Sequence, residues 1–63
     1  MGDDVEYLFA ERYYDADQAA RKRGWKPSSR TTWRKSDGTM VCFICLEEQV
    51  AAVPHGTKIH RLK

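Results

Sequence analysis

The chain has 63 residues, of which 41% are apolar and 32% charged, and a formal net charge of +2. That length holds one small domain, residues 1–63, with a core too limited for an ordinary substrate pocket. The composition excludes a disordered chain, and the charge alone implies no partner. Its distribution says more. Residues 1–20 sum to −5, residues 21–40 to +6, and the rest to +1. An acidic start beside a basic middle marks a candidate binding face.

Val5–Tyr14 is rich in aromatic and β-branched residues. Tyr7, Leu8, Phe9 and Ala10 are apolar on both alternating faces, which predicts a strand covered on both sides.

Asp15–Trp25 reads as a helix. Asp15 is placed to cap it, with Gln18 three residues on, as in a capping box. Ala16, Ala19 and Ala20 form a thin apolar stripe. Arg21, Lys22 and Arg23 suit the carbonyl end of the helix dipole. Gly24 is positioned for the left-handed residue after the helix, and Trp25 for the apolar contact that folds back.

Lys26–Gly38 is polar and carries Pro27, Ser28 and Ser29 as breakers. It reads as a long loop, a kind of segment that often carries function. The alternative is a strand at Thr31–Ser36, with Asp37 and Gly38 turning it into a hairpin that spans Thr31–Cys45.

Met40–Cys45 is uniformly apolar and predicts a central strand. Leu46–Val53 predicts a short helix, with Glu47 and Glu48 in its first turn. Leu46, Val50 and Val53 share one helical face and are expected to pack beside Phe9 and Ile44. Pro54 and Gly56 end that helix. Thr57–Leu62 alternates as a half-exposed strand.

The order strand, helix, strand, helix, strand predicts an α/β fold. The expected sheet is minimal, three-stranded and mainly parallel, with the hairpin as an addition. The acidic start is unlike a secretory signal, and the longest apolar run is far short of a membrane span. The expectation is a cytoplasmic protein with reduced thiols and no membrane partner.

Cys42 and Cys45 form a C-x2-C, and His55 and His60 follow. Zinc takes four such ligands. The segment VCFICLEE resembles the opening of a RING domain, and Val53–His60 resembles a later segment of that family. The resemblance spans about a third of the chain and implies a zinc-stabilised fragment. It puts the family's ligand positions on Cys42, Cys45, His55, Thr57, His60 and Lys63, of which threonine and lysine do not bind zinc. The apolar run around the cysteines instead favours two core thiols, which behave as small hydrophobes. On one strand, Cys42 and Cys45 also point to opposite faces. The adopted reading has no cofactor, with zinc on Cys42, Cys45, His55 and His60 as the alternative.

The basic middle is the best functional candidate. Arg21, Lys22, Arg23, Lys26, Arg30, Arg34 and Lys35 surround Trp25 and Trp33. Cations bind phosphates, and an exposed indole stacks on an unpaired base. Trp25 reads as a core residue and Trp33 as a candidate stacking platform. No nucleophile stands at a recognisable spacing from a base, and no glycine-rich loop opens a helix after a strand. The expected function is a non-enzymatic module that binds single-stranded nucleic acid or a host protein of nucleic-acid metabolism, with no small-molecule substrate. The alternative is an inhibitor or adaptor that binds a host protein. In size and surface the chain resembles the small accessory proteins of phages and mobile elements.

Overall fold

The computed structural model describes residues 4–62. The elements are β1 (Val5–Phe9), α1 (Tyr13–Lys22), β2 (Lys26–Ser29), β3 (Thr32–Arg34), β4 (Met40–Ile44), α2 (Glu47–Ala52) and β5 (Ile59–Arg61). The strands form one sheet in the order β2-β3-β4-β1-β5. β1 runs parallel to both β4 and β5, while β3 is antiparallel to both β2 and β4.

The sheet is therefore five-stranded and mixed, which corrects the expected three-stranded, mainly parallel sheet. The difference lies in residues 26–34: β3 forms with β4 the antiparallel hairpin that is the alternative reading of Thr31–Cys45, and β2 adds an edge strand where the sequence predicts only a loop. All four residues of β2 are exposed. A proline can occupy such a strand because an edge position does not need its missing N–H. The register shifts between Pro27 and Ser29, and the Ser29 and Thr32 hydroxyls bond at 2.5 Å across the turn.

The pairing sorts side chains onto two faces, because partners in register share a face. Glu6 with Val41, Leu8 with Phe43, Leu8 with His60, and Trp33 with Val41 define one face. Leu8, Trp33 and Val41 are fully buried there and pack with Ala10, Ala16, Ala20 and Trp25. The small alanines of α1 let the helix approach the sheet closely. Trp33 is the largest fully buried side chain. Burying an indole removes roughly 200 Å² from water, about 5 kcal/mol of gross transfer free energy.

The helix begins earlier than its sequence suggests. Arg12 occupies the N-cap without a side-chain bond, and Asp15 lies within the first turn. The expected capping box of Asp15 and Gln18 does not form. Tertiary packing sets the start instead. Tyr13 stacks on Trp33 at 5.7 Å between ring centroids and meets Phe43 edge-on at 5.6 Å. Its ring takes the first helical position because the core is there to receive it. β1 correspondingly ends at Phe9, short of Tyr14.

The crossover from β1 to β4 and the one from β4 to β5 run in opposite directions across the sheet. The right-handed rule therefore puts α1 and α2 on opposite faces. α2 spans only six residues, none of them buried. Val50 and Val53 are half-buried, but Leu46 is the N-cap and 51% exposed. The expected packing of all three against the sheet is corrected at Leu46, whose extended backbone points it away from the helical stripe. Gln49 holds the helix start, accepting the N–H groups of Cys45 and Leu46 at 2.9 and 3.0 Å.

Candidate anion-binding site

The site is built where α1 hands the chain to the β2–β3 hairpin. Gly24 has φ +82°, and the space beside it is open. The Trp25 N–H donates to Ala20 O and the Gly24 N–H to Arg21 O, both at 3.0 Å. This double closure is the Schellman motif, which satisfies the last helical carbonyls and reverses the chain. Trp25 is thereby turned into the core, and Lys26 enters β2 directly opposite Arg34.

A second turn supplies the other wall. The Lys35 N–H donates to Thr39 O at 2.8 Å, and the Gly38 N–H donates to Lys35 O at 3.0 Å. The Asp37 carboxylate accepts the Thr39 N–H at 2.9 Å. That bond, with the Thr39 hydroxyl, holds the Asp37 carboxyl below its usual range. A cavity of about 340 Å³ lies between the two turns, lined by Gly24, Lys26, Arg34, Lys35 and Ser36.

Three basic residues thus line one small cavity, Lys26 and Arg34 from one face of the hairpin and Lys35 with its ammonium held on Glu6. Among the described residues, neither Lys26 nor Arg34 has a carboxylate partner. Arg34 reaches the Gly38 carbonyl at 3.5 Å. Like charges directly opposite on paired strands repel. Lys35 is engaged: its Nζ lies 3.1 and 3.3 Å from the two oxygens of Glu6. The same Glu6 Oε1 lies 2.6 Å from His60 Nε2. Burial pushes the Glu6 carboxyl up, but the bonds from His60 and Lys35 outweigh it and hold it low. Trp25 packs edge-on against His60, with centroids 4.9 Å apart.

The other basic residues disperse. Arg21 pairs with Asp17 at 2.8 Å, and Arg23 lies over the Trp25 ring. Lys22 is exposed on the last turn of α1, and Arg30 in the turn between β2 and β3. Trp33 is not presented to a ligand. Its indole is fully buried against Tyr13, which corrects its assignment as a stacking platform. The polar sequence around it concealed that a strand alternates, so Trp33 points inward while Thr32 and Arg34 point to the other face.

The four candidate zinc ligands do not gather. Cys42 lies in register with Tyr7 and Thr32 on the face opposite His60. Cys45 follows the end of β4, and His55 is exposed in the turn before β5. Burial raises the Cys42 thiol above its ordinary value. Among the described residues, no group of three or more His, Cys, Asp or Glu is placed to hold a metal ion. Nor, among them, is any helix long and apolar enough to cross a membrane.

Glu6 and Ser36 are the residues that sequence reasoning missed, and it reads Gly24 only as the helix stop. A lone acid between Val5 and the apolar Tyr7–Phe9 run was the available signal for Glu6, since a charge there needs a partner. Comparison with protein-family models, with curated proteins and with solved structures finds no match to this chain.

Proposed function

We propose that the protein is a non-enzymatic module that binds nucleic acid through its phosphodiester backbone, at the cavity lined by Lys26, Arg34 and Lys35. The observation that carries this reading is the placement of Lys26 opposite Arg34, both lining a cavity and, among the described residues, neither paired with a carboxylate. A phosphate between them relieves their repulsion and takes up the guanidinium's parallel donors. Lys22 and Arg23, at the end of α1 just before Gly24, add positive charge on that side and steer a polyanion toward the cavity. With Trp33 in the core, the reading rests on backbone contact and not on base stacking. A single strand is the favoured form because its flexible backbone can dip one phosphate into a concave site.

The test is fluorescence anisotropy with a labelled oligothymidylate over a salt series. One phosphate in the cavity and about two neighbouring ones near Lys22 and Arg23 give a slope of about −2 in log affinity against log salt. The double substitution Lys26→Ala with Arg34→Ala should remove most binding while the protein stays folded. No binding at low salt by a folded protein overturns the reading. It would turn attention to a protein partner, for which the protein would act as an inhibitor or adaptor.

A further inference from the structure

Lys35 stands in two places at once. It lines the cavity, and its ammonium is bonded to both oxygens of Glu6. Glu6 in turn serves His60 through the oxygen nearer to Lys35. Two donors from distant parts of the chain share one half-buried carboxylate, and one of them belongs to a residue that lines the cavity.

We propose that Glu6 is a positioning residue that gates the anion site: protonation of His60 claims the Glu6 carboxylate and frees Lys35 for a bound phosphodiester. The inference rests on the anion-binding reading above and adds its regulation. When His60 is neutral, Lys35 is the one cation on Glu6 among the described residues, and its charge is spent there. When His60 takes a proton from solvent, the carboxylate has a second cation at 2.6 Å. Lys35 then costs less to withdraw, and its long side chain can swing to the cavity. Histidine is the side chain whose ordinary charge change falls between pH 5 and 8. Affinity for phosphodiesters should therefore rise as pH falls through that range.

The surroundings of His60 support a coupling confined to these three groups. The Trp25 ring covers it on one side, and Arg23 lies beyond that ring. Leu8 is its partner in register on β1. Lys58 on its own segment is exposed to solvent, and Asp37 acts on Lys35 from the turn. Glu6 is the acid that meets both His60 and Lys35. Coupling is reciprocal, so a bound phosphodiester must raise the proton affinity of His60 by the same factor.

The experiment is oligothymidylate anisotropy at constant ionic strength between about pH 5.5 and 8, a range where phosphodiesters keep their charge. The wild type should bind about 5-fold or more tightly at the acid end. His60→Gln, which keeps a donor for Glu6, should lose that response. Glu6→Gln should bind more tightly at neutral pH and respond little. The imidazole of His60, followed by NMR in the wild type, should titrate at higher pH when the oligonucleotide is bound. That reading needs no variant. A flat wild-type profile, an unmoved His60 titration, or an acid response that survives in folded His60→Gln each overturns the gate while leaving the anion site standing. No binding at any pH overturns the site itself, and the gate with it.

Discussion

The indole N–H of Trp33 donates to Asp17 Oδ1 at 3.1 Å, joining the middle of α1 to β3 across the core. The bond satisfies the one polar atom of the largest buried side chain. Arg21 holds the other oxygen of the same carboxylate at 2.8 Å. Arg21, Asp17 and Trp33 thus form a chain from solvent to core, and it fixes the helix against the hairpin that carries the cavity.

Removing that anchor should unfold the protein. Trp33→Ala is expected to cost about 3–5 kcal/mol, comparable to the whole stability of a domain this small. Trp33→Phe keeps most of the volume and loses the bond to Asp17, so it should stay folded with a lowered Tm. Calorimetry of the two variants checks the order. A Trp33→Ala protein that melts like the wild type contradicts the core assignment.

Acid should weaken the fold through the same carboxylates. The Arg21 guanidinium and then the Trp33 indole hold the Asp17 carboxyl below its usual range, and the Thr39 bonds do so for Asp37. A depressed native pKa means stability that is complete above the unfolded value and is lost as pH falls through the folded one. Tm should therefore hold above about pH 5 and decline below about pH 4. Asp17→Asn retains an acceptor for the indole but not the charge. It should lower Tm at pH 7 and flatten the acid decline.

The Lys26 and Arg34 pair carries a prediction of opposite sign for stability and binding. Lys26→Glu turns a repulsive cross-strand pair into an attractive one. It should stabilise the hairpin by about 0.2–1 kcal/mol while strongly weakening oligonucleotide binding. Thermal melts and anisotropy on one sample measure both. A variant that binds like the wild type would remove Lys26 from the site.

The buried strand β4 and the start of α2 should respond unequally to truncation. Val41→Ala opens a cavity in the fully buried core and should cost about 2 kcal/mol or more. Leu46→Ala, at an exposed N-cap, should change stability by no more than about 0.5 kcal/mol. Denaturant titrations distinguish them. Equal losses would mean that the start of α2 is as integral to the fold as β4.

Much of the local structure is legible in the sequence because local physics decides it. The stop at Gly24 and the inward turn of Trp25 follow from a helix end, and the apolar run at Met40–Ile44 reads directly as a strand. β2 is not legible. Its exposed Lys-Pro-Ser-Ser acquires strand identity only by pairing with β3. The helix start is displaced because the contact of Tyr13 with Trp33 outweighs the cap that Asp15 offered. The cluster of cations in the middle segment is visible as charge. Which of them converge depends on a register that composition does not contain. Glu6 and His60 stand 54 residues apart, and only the parallel alignment of β1 with β5 brings them together.

The central place of β1 has a consequence for how the protein is made. β1 is made before the other four strands of its sheet, yet its partners lie 35 residues away at Met40 and 52 away at Ile59. Until both arrive, a strand with two open hydrogen-bonding edges and a buried-type Leu8–Phe9 surface waits without cover. Such distant parallel pairing closes slowly, and open edges invite pairing with neighbouring chains. Asp4 and Glu6, beside that apolar surface, place negative charge on the nascent segment and oppose its stacking with identical copies until β4 and β5 are in place.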